Sequence, residues 1–301
     1  MDARRWDWNK DGATMSVLRS GNITDSPRLL GTYDINLPII GLSPVSAVAV
    51  STSNSPTTTD AEDPDFPIEN LLNQAMHLRW ASNSTAADVF LDATGFITTT
   101  NYVAFANHNF SGLTITIYGY TNNSPSDQVE IFAATLITDN SPLLMEFPEG
   151  SYAQIRVKLS GPLGVRTCAV MHAGLLLRMN RGVKVETDHA PVYQATKADV
   201  LSGLSESGNF IGRLVRNQVA ETKYEFTQIS AEFFSILTGT PLWEFTKSYA
   251  PNYPFFIAWA PNDYPKDLGF VWTTADILPL QNPITRRWAM TLQVRGITGN
   301  E

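Results

Sequence analysis

Residues 106–123 read ANHNFSGLTITIYGYTNN, and this stretch indicates how the chain folds. Leu113, Ile115 and Ile117 alternate with Thr, Thr and Tyr. Because successive side chains of a β-strand point to opposite faces, this alternation predicts a strand with one buried face. The polar Asn-His-Asn at 107–109 is either the turn that begins this strand or part of a ligand site.

The same kind of segment recurs along the first 180 residues. Each segment is short and rich in Val, Ile, Phe and Tyr, and Gly, Pro, Asn or Asp separate most of them, which is typical of strands and turns. A series of short strands predicts a β-sandwich, most simply a jelly roll. The predicted strands are 77–82, 87–93, 101–108, 113–120, 129–137, 143–148, 152–161 and 168–179.

The length and composition indicate more than one folded unit. The chain has 301 residues, of which 43% are hydrophobic, and this is enough to fill real cores. Residues 1–30 are polar and irregular, so we predict an N-terminal arm. We predict a jelly-roll domain over 31–180 and a second β-rich domain over 181–301, with a seam near residue 180.

The second domain is predicted to contain strands and one short helix. The helix is predicted at 229–240, where Ser230 can cap it and Gly239 can end it. The glycine-rich segment 203–212 is interpreted as a loop followed by an edge strand. The predicted strands are 222–229, 254–261, 268–275 and 286–297.

Charge and sequence pattern narrow the classes of partner. The net charge is -8. Residues 1–180 contain 17 acidic and 10 basic residues, and residues 181–301 contain 12 acidic and 11 basic residues. Since no basic patch appears, we expect no specific nucleic-acid binding. No signal peptide and no continuous apolar stretch of about 18 residues is evident, so we expect cytoplasmic synthesis and no membrane span.

Residue patterns for catalysis or metal binding are weak, and we predict no enzyme activity, metal or cofactor. The segment DWNKDG at 7–12 matches the opening of a calcium loop, but Leu18 stands where a closing glutamate is needed. The four histidines do not sit at metal-ligand spacing, and the single cysteine, Cys168, lies in an apolar run typical of a core. An acid pair for glycoside hydrolysis forms in space, so an enzyme that degrades polysaccharide stays an alternative.

Aromatic residues are the remaining clue to binding. Candidate carbohydrate-binding residues are Trp80, Asn107, His108 and Asn109, although we favour a satisfied turn for 107–109. The last 120 residues are rich in aromatic side chains, and a domain of that size has limited interior volume. Part of this aromatic area is therefore predicted to lie between subunits. The candidate interface residues are Trp6, Trp8, Trp243, Tyr253 and Trp259.

The stretch from Pro67 to Tyr120 resembles a discoidin-like, or galactose-binding-like, jelly roll. The matching features are a short helical Asn-Leu-Leu at 70–72, Arg-Trp at 79–80, Val-Phe-Leu-Asp at 89–92, the turn at 107–111, and Thr-Ile-Tyr-Gly at 116–119. This version of the pattern resembles modules of tail and baseplate proteins from tailed bacteriophages.

The second half resembles the ring-forming part of tail-tip proteins. The resemblance lies in GNFIGRLVRN at 208–217, AEFF at 231–234, PFFIAWAPNDYP at 254–265, LGFVW at 268–272 and RRWAMTLQVRGI at 286–297. It implies a virion structural protein at the phage tail tip, in a ring of identical copies, a hexamer or a trimer, that contacts tail-tube and baseplate hub proteins. The alternative is a module that binds host-surface carbohydrate.

Overall fold

The computed structural model describes most of the chain. The described residues are 29–30, 37–42, 45–51, 63–82, 87–94, 99–121, 127–180, 182–183, 192, 195–204, 206–207, 209–234 and 241–297. The predicted arm at 1–30, the DWNKDG segment, Trp6 and Trp8 therefore lie outside the described residues, apart from Leu29 and Leu30.

Eighteen strands account for most of these residues, and they are numbered here in chain order. They are β1 (Leu29–Leu30), β2 (Ile39–Gly41), β3 (Ala47–Ser51), β4 (Trp80–Ala81), β5 (Asp88–Thr94), β6 (Thr100–His108), β7 (Thr114–Tyr120), β8 (Val129–Leu136), β9 (Leu143–Gly150), β10 (Gln154–Ser160), β11 (Thr167–Gly174), β12 (Leu176–Arg178), β13 (Thr196–Leu204), β14 (Phe210–Ile229), β15 (Phe255–Ala258), β16 (Leu268–Thr273), β17 (Leu280–Gln281) and β18 (Trp288–Ile297).

Two five-stranded sheets form a jelly-roll β-sandwich. One sheet has the order β1-β9-β6-β11-β4 and the other has the order β3-β5-β10-β7-β8. All pairs of neighbouring strands are antiparallel except β1 with β9. The alternation at 113–118 predicted one buried face, and Ile115 and Ile117 do lie in the core between the two sheets. The predicted fold class, a mainly β protein with a jelly-roll sandwich and a second β-rich domain, is confirmed.

A third sheet contains most of the second half of the chain. Its order is β12-β2-β15-β16-β18-β14-β13, and β17 pairs with β18. Strands β2 and β12 lie within 31–180, so the predicted seam near residue 180 divides the chain but does not divide the sheets. Conversely, β1 lies in the predicted arm and pairs with the jelly roll.

The third sheet packs against the outer face of the jelly roll. Tyr102 and Ala104 of β6 share a buried cluster with Phe256, Leu268 and Phe270 of β15 and β16. Both faces of β6 are consequently buried, one in the sandwich core and the other in this contact. The molecule therefore has three stacked sheets with two layers of apolar side chains between them, and a further core lies on the third sheet.

The close approach of two strands explains one glycine. A Cβ atom at Gly41 of β2 would lie 2.9 Å from the ring of Tyr102, which is nearer than real Cβ contacts come. Glycine at this position therefore lets the third sheet reach the jelly roll.

Seven of the sixteen aromatic rings that the structure describes in the second half are buried within the chain. Phe226, Phe234, Phe245 and Phe255 are buried in the core of the third sheet. Phe256 and Phe270 enter the contact with the jelly roll. The volume argument counted the second domain alone, whereas the outer face of the jelly roll supplies additional apolar surface. That part of the aromatic area lies between subunits stays a prediction.

The short helix that the structure describes begins directly after the predicted range 229–240. Residue 229 ends β14, and residues 231–234 form a turn in which Ser230 Oγ accepts a hydrogen bond from the Phe233 amide at 3.2 Å. The rest of the predicted helix, 235–240, lies outside the described residues. The observed helix α1 covers Pro241–Glu244 and continues as one wider turn over Phe245–Tyr249. A 3-10 helix at Ile68–Leu72 matches the predicted helical turn there.

Strand β14 extends well beyond the third sheet. Its C-terminal half, from Ala220 to Ile229, pairs with β18, whereas its N-terminal half, from Phe210 to Ala220, pairs with β13 alone. Strand β13 and residues 210–219 of β14 therefore form a two-stranded ribbon in the described part of the chain, which we call the β13–β14 arm. About ten residues of strand span roughly 30 Å.

Candidate functional site

The Asn-His-Asn turn at the end of β6 is fixed by its own amide groups. Asn107 has a positive φ of 52°, and its Nδ2 donates to the Met76 carbonyl at 2.8 Å. Asn109 Nδ2 donates to the Val165 carbonyl at 2.9 Å, and its Oδ1 accepts from the Thr167 amide at 2.7 Å. These two exposed residues therefore tie the turn to two neighbouring loops, as expected for a satisfied turn.

His108 is buried behind this turn. Its Nδ1 accepts a hydrogen bond from the Phe110 amide at 3.2 Å, and its ring stacks on Phe110 with 4.6 Å between centroids. Burial lowers the pKa of His108 to about 4, because the charged imidazolium would lose its hydration. The side chain is therefore neutral at pH 7 and is enclosed by protein.

Trp80 is also enclosed by protein. It lies in the core between the two sheets of the jelly roll and has no exposed area. Of the four candidate ligand residues, only Asn107 and Asn109 therefore reach the surface, and their Nδ2 groups are used by the fold.

Arg166 organises the loops at this end of the jelly roll, although nothing in the sequence around it indicated such a role. Its Nη1 donates to the Gly164 carbonyl at 2.6 Å, and its Nη2 donates to the carbonyls of Ala87 and Pro162, both at 3.1 Å. Burial lowers the pKa of Arg166, while the charge of Asp88 opposes this effect. One guanidinium thus fixes three backbone carbonyls around the loop end.

A buried ion pair lies on the outer face of the second sheet. Arg156 Nε and Nη2 donate to Asp92 Oδ1 and Oδ2 at 2.6 and 2.9 Å, across adjacent strands β10 and β5. Gln154 Nε2 also donates to Asp92 Oδ1, at 2.7 Å. Burial acts to lower the pKa of Arg156, but its hydrogen bonds to Asp92 and the charge of that carboxylate outweigh burial and raise it. Phe90 and Tyr120 lie against the guanidinium, with 5.2 and 5.5 Å from its carbon to the ring centroids.

The candidate interface aromatics lie in different surroundings. Trp243 is partly buried and meets the ring of Phe234 edge-on at 5.9 Å. Tyr253 is 49% exposed and leans on Tyr249 at 5.3 Å. Trp259 is partly buried and stacks on Tyr264, with 5.0 Å between centroids and 18° between planes. Their role between subunits stays a prediction.

Large apolar side chains are exposed at two hairpins of the third sheet. Phe210 and Ile211 are largely exposed near the tip of the β13–β14 arm. Leu278, Leu280 and Ile284 are exposed in and around the hairpin formed by β17 and β18. Sequence periodicity missed both features because it identifies side chains that face a core, and these side chains face solvent.

Side chains that could bind a metal are not clustered among the described residues. Across the described ranges, no set of three or more His, Cys, Asp or Glu side chains could hold a metal ion. Cys168 is buried as predicted, and burial raises its thiol pKa to about 12. Within the same residues, no helix has the length and apolar character needed to span a membrane.

Comparison with known proteins adds structural likenesses only. No protein-family model matches the chain, and no curated protein matches it. The architecture defines the class as a mainly β protein built on a jelly-roll sandwich.

Among solved structures, chitosan-binding module 1 from a chitosanase/glucanase of Paenibacillus sp. IK-5 is similar, with 16% identity, a TM-score of 0.36, and coverage of 44% of this chain and 97% of that one. The CBM32 module of AlyQ in complex with 4,5-unsaturated mannuronic acid gives 18% identity, a TM-score of 0.34, and coverage of 44% and 96%. A GH29 fucosidase of Ruminococcus gnavus in complex with fucose gives 12% identity, a TM-score of 0.35, and coverage of 42% of this chain and 25% of that one. The fold assignment rests on the sheets themselves and not on these matches.

Proposed function

We propose that this chain is a non-enzymatic assembly subunit, which binds further copies of itself through the β13–β14 arm. The observation that carries this proposal is the two-stranded ribbon that leaves the third sheet at Ala220. A two-stranded hairpin is marginally stable alone in water, and its free edges readily pair with other chains. A neighbouring subunit would supply the missing support.

The tip of the arm carries apolar side chains that suit a contact. Phe210 and Ile211 are adjacent and largely exposed at a register shift, where Phe210 pairs with Leu204 and Gly212 pairs with Gly203. Two adjacent exposed apolar side chains at the end of a ribbon suit a contact with a neighbouring subunit. Gly203 lies opposite Gly212 near the tip, where the ribbon can bend to fit its neighbours.

The rest of the molecule fits a structural role. The third sheet packs directly against the jelly roll through a buried apolar cluster. The jelly roll is therefore held by this contact and is not tethered by a linker alone. The buried histidines His108 and His172 are neutral at pH 7, since burial lowers their pKa values to about 4 and about 3.

The sequence resemblance gives this proposal its finer form. We place the subunit in a ring at the tail tip or baseplate of a tailed phage virion, where tail-tube and baseplate hub proteins would be its partners. A closed ring arises when each copy presents one surface to the next copy and the rotation between them closes.

Measuring the molar mass of the purified full chain by light scattering tests the assembly proposal. We expect a multiple of the 33.2 kDa chain mass, and we expect the double substitution Phe210→Asp with Ile211→Asp to yield monomers. Two carboxylates in an apolar contact would lose hydration without gaining partners. The control is Leu163→Asp, which places a charge at a comparably exposed apolar side chain on the jelly roll.

A wild-type chain that stays monomeric at the highest soluble concentration overturns the proposal. An arm variant that keeps the wild-type mass would show that the arm is not the contact.

A second candidate function is binding of host-surface carbohydrate, and one observation favours it. Tyr264 is 45% exposed, follows the exposed residues Asn262 and Asp263, and is held by its stacking on Trp259. The Tyr264 amide donates to the Ala260 carbonyl at 2.8 Å, which further orders the loop. A fixed aromatic ring beside amide and carboxylate groups suits the apolar face and the hydroxyl groups of a sugar.

Tyr264→Ala tests the carbohydrate reading on a glycan array. If sugars stack on this ring, we expect at least one glycan to bind the wild-type chain, and we expect the variant to bind it about tenfold more weakly. Tyr253→Ala is the matched control, because Tyr253 is similarly exposed, at 49%, and lies at the other end of β15. An array on which the wild-type chain binds nothing would remove this candidate.

A further inference from the structure

The hairpin formed by β17 and β18 presents a compact apolar surface to solvent. Leu278 and Leu280 are 70% and 72% exposed and lie two residues apart. Ile284, at the tip, is 91% exposed. Single exposed apolar residues are normal, but three on one hairpin form a patch of the kind found at interaction sites. We call residues 278–287 the hairpin knob.

The hairpin knob is ordered by the side chain and backbone of one residue, Asn282. Its Oδ1 accepts hydrogen bonds from the amides of Ile284 and Thr285 at 2.9 and 3.0 Å. Its backbone exchanges bonds with residues 286 and 287, both at 2.8 Å. A loop that is already fixed loses little conformational entropy on binding, so Ile284 is displayed in a form ready to dock.

The charge of the hairpin knob indicates the kind of surface it fits. Arg286 and Arg287 are both exposed and form no ion pair among the described residues. An apolar tip with two guanidinium groups beside it fits an apolar surface that carries carboxylates.

A surface of that kind lies on the jelly roll of the same chain, at strand β8. This strand is the edge of its sheet, since it pairs only with β7 in the described chain. Val129 and Leu136 are more than half exposed, and the single charged residue of the strand is the exposed Glu130. An uncovered edge strand without lysine or proline readily accepts another chain.

We propose that the hairpin knob of one copy docks on the β8 edge of the next copy. Each chain then uses one surface of each type, so the contact is head-to-tail and can close into a ring. This inference rests on the proposed self-assembly and adds a second contact to the one made by the arm. Ile284 would fill the apolar centre of that contact, and the arginines would face Glu130.

The test measures self-association of full-length chains by sedimentation velocity over a range of concentrations. Ile284→Asp is expected to weaken association by about 30-fold or more, as for the central residue of an interface. Val165→Asp, at another exposed apolar residue, is expected to leave association unchanged. Because residue 284 is almost fully exposed, the melting temperature should match that of the wild-type chain.

Charge reversal then tests the partner surface. Arg286→Glu with Arg287→Glu should weaken association, and adding Glu130→Lys to the same chain should restore part of it. A wild-type chain that is strictly monomeric overturns both the self-assembly and this contact. If the wild-type chain assembles and the arm variant does not, while Ile284→Asp associates normally, only the hairpin-knob contact is wrong. Loss on charge reversal without recovery by Glu130→Lys would exclude the β8 edge as the partner.

Discussion

Replacing Arg156 with alanine is expected to lower the free energy of unfolding by about 3–5 kcal/mol. The substitution leaves the buried carboxylate of Asp92 without its cation, and only the hydrogen bond from Gln154 remains in the described structure. A charge that keeps too few partners after leaving water is among the most costly defects a fold can contain. The loss should appear as a lower midpoint of urea unfolding, followed by tryptophan fluorescence.

Two further variants separate the ion pair from its surroundings. Lys158→Ala removes a more exposed pair on the same strand, in which Lys158 Nζ lies 2.9 Å from Asp88 Oδ2, and should change stability by about 1 kcal/mol or less. Arg156→Met combined with Asp92→Leu removes both charges and should recover most of the stability, because a buried pair is often replaceable by apolar residues. Equal losses for Arg156→Ala and Lys158→Ala would contradict a buried, coupled pair.

This ion pair illustrates what alternation along a strand could and could not predict. The apolar positions of β5, β7 and β10 were predictable, and Val89, Leu91, Ile115 and Val157 do enter the sandwich core. The opposite positions were expected to face solvent. Asp92 and Arg156 are instead buried there, because they satisfy each other across strands that are 64 residues apart in sequence. Only the strand register brings them together.

The arrangement of the sheets was harder to predict than the strands themselves. Strand β2 has three apolar residues or glycine in a row, and nothing local indicates that its partners are β12 and β15. The prediction divided the residues of β14 between a loop with an edge strand at 203–212 and a separate strand at 222–229. In the structure, β14 is one continuous strand of 20 residues. Its outer half, FIGRLVRNQV at 210–219, shows no regular alternation of apolar and polar residues, on which the prediction depended.

The candidate sites followed the same pattern. The satisfied turn at 107–109 was predictable, because asparagine side chains commonly bond to nearby backbone. The full burial of Trp80 was not, since a tryptophan beside an exposed arginine can face either way in a two-residue strand. The exposed ring of Tyr264 and the hairpin knob depend on loop geometry, which residue spacing does not determine.

Acidification is expected to destabilise the protein through His172, which lies in the contact between the jelly roll and the third sheet. The side chain has no exposed area, and its ring meets Phe256 and Phe270 edge-on at 5.1 and 5.8 Å. Burial lowers the pKa of His172 to about 3, against an ordinary value of 6.5. Between these two values the unfolded chain binds a proton that the folded chain does not bind.

The direction of the pH effect follows from this difference. Stability rises with pH wherever the unfolded state binds more protons, so the contribution of neutral His172 is complete above pH 6.5 and is lost as the pH falls towards 3. Each pKa unit corresponds to about 1.4 kcal/mol, so His172 alone should remove roughly 3 kcal/mol between pH 7 and pH 4. His108, whose pKa is about 4, adds a loss in the same direction.

His172→Leu should therefore reduce the acid sensitivity without abolishing it, because His108 remains. Urea unfolding at a series of pH values from 7 to 4 measures the effect, and the variant should lose about 3 kcal/mol less than the wild-type chain. Phe256→Leu is the matched control: it weakens packing in the same contact and should lower stability by a similar amount at every pH. A difference in unfolding free energy between His172→Leu and the wild-type chain that stays constant from pH 7 to pH 4 would show that His172 does not change its protonation on unfolding. The claim that His172 is buried between the sheets in its neutral form would then be wrong.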